Sequence, residues 1–177
     1  MKSNIAVDLG NNYKITTYEN GNPMYIYYKD GIKKTIRNEG KDSEFIVLQK
    51  QDKAYGIFTK TKKYFEAEIT RSVNKTDLIA SMTWDEEYLN FQNFIRVMFT
   101  ENIKIDKEEY KGKDYIVLTV DMMKLWANPD TYYIEKELRF GDEIERSVEK
   151  NVVTTEDVAI PNLDGYEKEE SNLMLIR

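Results

Sequence analysis

The chain has 177 residues, 41% of them apolar, which is enough for one ordinary domain with a real core and argues against wholesale disorder. It holds neither cysteine nor histidine, which excludes disulfides, thiolate and imidazole metal sites, cysteine nucleophiles and the commonest general base. A net charge of −6 with no dense basic run argues against a nucleic-acid surface.

Apolar or β-branched runs follow one another from the start: Asn4–Leu9, Tyr13–Tyr18, Met24–Tyr28, Ile32–Ile36, Phe45–Leu48, Tyr55–Thr59 and Lys63–Ile69. Between them stand turn clusters such as Asn20-Gly21 and Asp30-Gly31, which supply the positive φ angles of tight hairpins. The opening IAVDLGNNYKIT resembles the first phosphate-binding hairpin of the actin and sugar-kinase ATPase superfamily, with Asp8, Gly10 and Asn11 in its positions. No second phosphate loop or adenosine loop follows, so the segment reads as an ordinary hairpin turn. Phe45-Ile46-Val47-Leu48 is apolar on both strand faces, which predicts a strand covered on both sides or one facing another chain.

A short helix is expected over Asp77–Met82 and a longer one over Trp84–Phe99. At 100° per residue Trp84, Tyr88, Phe91, Ile95, Met98 and Phe99 share one stripe. Thr83 and Glu86 form a capping box, and Asp85, Glu86 and Glu87 suit the positive end of the helix dipole. The stripe covers either a packed core or a cavity for an apolar ligand. Further strands are expected at Ile103–Asp106, Tyr115–Asp121, Thr131–Glu137, Glu143–Glu149 and Val152–Val158. The carboxylate clusters Asp85-Glu86-Glu87, Asp106-Glu108-Glu109 and Glu167-Glu169-Glu170 match no calcium-loop spacing.

Many strands, a helical insertion at about 77–100 and more strands predict a single α+β domain over residues 1–177. It would be mostly antiparallel β, a strongly curved sheet with helix across its concave face. No run reaches the ~20 apolar residues of a membrane helix, and no signal peptide is read at the start.

The stretch from Thr131 to Glu170 resembles the closing strands of the LolA/RseB-like (lipoprotein-carrier-like) superfamily in its Gram-positive form. The likeness rests on Val153, Thr154, Asp157, Val158, Pro161 and Tyr166, and the strand pattern of Asn11–Gly40 is similar to that family's opening. Leu138, Arg139 and Phe140 stand before Gly141 where that family commonly has Gly-Leu-Pro. The resemblance implies an incomplete β-barrel with a helical lid on the concave side, outside the cytoplasm, attached to a membrane through an anchor that this chain does not carry. It also implies a non-enzymatic module that binds a lipid, acyl chain or lipopeptide, without cofactor or metal. Trp84, Tyr88, Phe91, Ile95, Met98 and Phe99 would contact that ligand. The alternative is a protein-interaction or envelope-sensor domain of the same fold with a filled interior.

Overall fold

The computed structural model describes residues 9–51, 53–68, 103–120 and 122–170. Twelve strands run through them: β1 (Asn12–Glu19), β2 (Asn22–Lys29), β3 (Ile32–Arg37), β4 (Phe45–Lys50), β5 (Lys53–Phe58), β6 (Lys63–Glu68), β7 (Ile103–Tyr110), β8 (Lys113–Val120), β9 (Met123–Ala127), β10 (Ile134–Arg139), β11 (Asp142–Lys150) and β12 (Glu167–Lys168). They are neighbours in the order β12-β6-β5-β4-β3-β2-β1-β11-β10-β9-β8-β7, an open sheet.

This corrects the expected fold class. The described residues hold strands, turns and loops and no helix, so the protein is all-β there, not an α+β half-barrel with a helical lid. The helices expected over 77–82 and 84–99 fall outside the described residues. Two further expectations change. Met123–Ala127 is a strand that the sequence did not announce. Val152–Val158, expected as a strand, is a capped turn: Asp157 Oδ2 accepts from the Thr154 N–H at 2.7 Å and the Thr154 hydroxyl at 2.8 Å. A short polar side chain bonding its neighbours' backbone outcompetes a strand ladder there.

Contacts gather the chain into two compact units, to which β1 and β11 both contribute. The first holds Thr17–Gly21 and the described part of Thr83–Ser147. Its strands place Ile105, Leu118, Leu125, Glu137 and Ile144 opposite one another in a row across β7 to β11. Leu118, Leu125 and Ile144 are buried, and so is the Glu137 carboxylate among them. The Arg146 guanidinium, equally buried, donates from Nη2 to Glu137 Oε2 at 2.9 Å, and Arg139 Nε lies 3.5 Å from Oε1. Asn20 N–H bonds Glu143 O and Asn151 N–H bonds Asn12 O, so β1 and β11 keep one register and Thr17 faces Arg146.

The hairpin between β10 and β11 turns on Phe140 and Gly141, both in the left-handed region at φ 52° and 97°. Asn20 and Asp30 occupy the equivalent position in two other hairpins, as tight turns with positive φ favour. A bulky residue is strained there, and Phe140 is 70% exposed, so little packing offsets it. Phe140→Asn is expected to stabilise the chain by about 1 kcal/mol. That corresponds to a thermal midpoint about 2–4 °C higher, read by calorimetry. A midpoint that falls would show that the ring makes a contact worth more than the strain.

The second unit holds Leu9–Thr16, the described part of Asn22–Met82 and the described part of Val148–Arg177. Strands β2 to β6 pair antiparallel in sequence order. On one face Ile36, Ile46 and Ile57 form a buried cluster with Tyr25, Tyr27 and Tyr64 around it, and Leu163 and Tyr166 of the C-terminal segment pack onto it. That segment is clasped where it leaves β11, since the Asn12 side chain donates to Val153 O at 2.8 Å and accepts from Val153 N–H at 2.9 Å. It ends in β12, which runs parallel to β6.

Candidate functional site

With one face of β2–β6 covered by Leu163 and Tyr166, the opposite face is the candidate surface. Pairing aligns its side chains in rows across five strands. The outer row is Met24, Arg37, Phe45, Phe58 and Lys63; the next is Ile26, Thr35, Val47, Gly56 and Phe65. A third row holds Tyr28, Lys33, Gln49, Ala54 and Ala67. Successive rows are two residues apart on each strand, so all fifteen positions share a face.

Three phenylalanines meet on this face. The Phe45 and Phe58 rings are 4.7 Å apart, and Phe65 lies 6.2 Å from Phe58 and 6.5 Å from Phe45. Gly56, opposite Phe65 in the ladder, lets that ring lie directly on the backbone, since a Cβ there would stand 1.9 Å from Phe65 Cζ. Burial deepens inward from this cluster. Phe58 is 40% exposed, whereas Ile26, Thr35, Val47 and Ala54 behind it are all buried. The face therefore carries an aromatic cluster at its outer row and buried side chains in the rows beside it.

The first unit carries a second aromatic group, closed by its own charges. Tyr115, Val117 and Trp126 form a buried cluster with Tyr110 against it. A register shift at Glu135 sets both Glu135 and Lys136 against this face. Lys136 Nζ sits 3.9 Å from the Tyr110 ring centre and 5.3 Å from that of Trp126, while Lys124 lies 4.9 Å from Trp126. Glu135 accepts from Lys113, Tyr115 and Asn128, each at 2.8 Å. Burial and then the bond to Glu135 push the Tyr115 phenol up to about 12. Stability from that neutral phenol is present below its ordinary pKa near 10 and is lost as pH rises toward 12. Lysine ammonium groups already lie over the ring faces, so this cluster is a satisfied surface.

Elsewhere most of the shifted groups move away from neutrality, Lys34 being the exception. Hydrogen bonds from lysines hold Glu66 and Glu145 low, and Thr154 does so for Asp157. Carboxylate bonds raise Lys63, Lys104 and Lys111. Burial raises Tyr27 and lowers Lys34. Of the cluster carboxylates, Asp106 pairs with Lys104, Glu108 with Lys124 and Glu169 with Lys63, and Asp85, Glu86 and Glu87 lie outside the described residues. Among the described residues no group of three or more carboxylates is placed to hold a metal ion.

Trp84, Tyr88, Phe91, Ile95, Met98 and Phe99, the ligand contacts expected from the sequence, lie outside the described residues, as does Asp8. The Phe45–Phe58–Phe65 group was not anticipated. Its signal was Gly56, a glycine inside a strand, which marks close approach of another group to the backbone.

No family model matches the chain and no curated protein matches it in sequence. A crystal structure of an uncharacterized conserved protein from Thermus thermophilus aligns over 91% of this chain and 91% of its own, with TM-score 0.53 and 4% identity. The structure of PNGF-II aligns over 93% of this chain and 32% of its own, with TM-score 0.40 and 12% identity. The Thermus protein does not point to the lipoprotein-carrier-like superfamily, and the helix that the resemblance set across the sheet falls outside the described residues. What the chain shares with the Thermus protein is its fold.

Proposed function

We propose that this chain is a non-enzymatic interaction module that engages a segment of a partner protein through Phe45, Phe58 and Phe65. The carrying observation is the contact group of three phenylalanines with Phe58 40% exposed. Exposed contiguous apolar surface with aromatic anchors is the usual mark of a protein contact. A small apolar ligand is a poorer fit, because such ligands are enclosed over about 70–90% of their surface. Here Phe58 is 40% exposed and stands at the outer row of the face. Catalysis fits less well, since a general acid or base works best with a pKa near the operating pH. The carboxylates that shift move down and the tyrosines move up, and the lowered Lys34 bonds Ala159 O rather than sitting among other shifted groups on the phenylalanine face.

Selection from a random peptide library displayed on phage tests the reading. Peptides selected on the wild-type chain are expected to bind Phe58→Ser at least about tenfold more weakly. The variant's thermal midpoint should change little, because the side chain is already half in solvent. Selected peptides that bind Phe58→Ser as tightly as wild type would overturn the proposal.

A further inference from the structure

We infer that β7 pairs antiparallel with β7 of a second copy of this chain, about a two-fold axis through Ile105. The inference is independent of the phenylalanine patch, which belongs to the other unit. Among the described residues β7 ends the sheet. It is eight residues long and holds neither proline nor glycine, so its outer edge offers a row of backbone N–H and C=O groups that another strand can extend. The apolar row of the first unit stops at this edge. Leu118 and Leu125 are buried, yet Ile105, opposite Leu118 in the same row, is 59% exposed. A strand added to β7 carries that row onward.

The sequence of β7 selects the occupant. In a two-fold antiparallel pair one residue faces its own copy, and residues equally far before and after it face each other. Between its first and last residues β7 runs Lys104, Ile105, Asp106, Lys107, Glu108 and Glu109. Any of the charged residues on the axis sets like charges directly opposite, which destabilises a ladder. Ile105 does not. With Ile105 on the axis an apolar pair forms on one face of the strands. On the other face each Lys104 stands opposite Asp106 of the second copy. Lys104 Nζ already lies 2.7 Å from Asp106 of its own strand, and both side chains are exposed. Self-pairing thus closes four charges into a ring of alternating sign, the kind of network in which surface ion pairs count.

The chain has no cysteine, so a single introduced one reports the register. Residues directly opposite in an antiparallel ladder have Cα atoms about 4.5–5.5 Å apart, within the span of a disulfide. Under mild oxidation Ile105→Cys is expected to form at least about tenfold more disulfide-linked dimer than Lys107→Cys, whose two copies stand about 13 Å apart along the ladder. Sedimentation of the wild-type chain should show concentration-dependent dimers, and Lys104→Asp or Asp106→Lys should weaken them about threefold to tenfold. The double variant Lys104→Asp/Asp106→Lys restores the alternation and should recover them. A wild-type chain that stays monomeric up to about 1 mM would overturn the proposal. So would cross-linking of Lys107→Cys equal to that of Ile105→Cys, or charge variants that associate as tightly as wild type. Phe58→Ser should leave the dimer intact, which separates failure here from failure of the interaction reading; a dimer that needs Phe58 would put the second copy on the phenylalanine patch and sink the β7 pairing.

Discussion

Glu137→Leu is expected to lower the unfolding free energy by about 3–5 kcal/mol, the usual penalty for removing one member of a buried ion pair. Glu137 and Arg146 side chains are each 2% exposed and 2.9 Å apart. The carboxylate stands in line with Leu118, Leu125 and Ile144, all buried. Deleting it takes the carboxylate away from the buried Arg146 guanidinium, and from Arg139 too. Attraction between the pair offsets a desolvation cost that both charges otherwise bear. The double variant Glu137→Leu/Arg146→Met is therefore expected to recover most of the loss, and in favourable packing to gain about 1–4 kcal/mol over wild type. Urea unfolding of the four members of this cycle measures both quantities. A loss below about 1 kcal/mol in the single variant, the scale of a surface pair, would mean that water reaches the guanidinium.

Gly56→Ala should cost about 1–3 kcal/mol through overpacking alone. The Gly56 backbone is outside the left-handed region, so the new side chain meets no conformational penalty, only the Phe65 ring 1.9 Å away. That ring must leave the strand surface, taking its contacts with Phe45 and Phe58 with it. The variant is thus expected to lose peptide binding under conditions where it remains folded. Glu137→Leu, located in the other unit, should lose stability and keep binding. Unchanged affinity in folded Gly56→Ala would show that the outer row does not need Phe65 beneath it.

Most strands were legible because their turns were. Asn20-Gly21, Asp30-Gly31 and Lys111-Gly112 punctuate the chain with residues that accept positive φ, and the runs between them alternate at the strand period. The turn before β9 lacks that punctuation, and Met123–Ala127 is buried at all but one position, so no alternation announced it. Val152 and Val153 carried β-branched propensity into a segment that the Thr154–Asp157 cap had already committed to a turn. The two-residue β12 is too short for any period. Patterns of the candidate surface were harder to see. Phe45, Phe58 and Phe65 belong to three strands, and only the pairing of Phe45 with Phe58 and Gly56 with Phe65 brings them together. Sequence periodicity reports which face a residue takes within its own strand; it does not report the register that makes rows. For the same reason nothing within its own strand marks Glu137 as buried; its pairing with Leu125 and Ile144 sets it in an apolar row.

The packing of Leu163 and Tyr166 onto the Ile36–Ile46–Ile57 cluster also sets a schedule for synthesis. Tyr64 has left the ribosome about a hundred residues before Leu163 does. At about 5–20 residues per second that interval is on the order of 5–20 s. Throughout it that apolar face of the β2–β6 hairpins lacks the cover of Leu163 and Tyr166, long after β-hairpins themselves form in microseconds. Nascent chains of this protein therefore pass through a window of aggregation risk whose length is set by translation speed. Slow codons placed between β6 and the C-terminal segment should widen that window and lower the soluble yield.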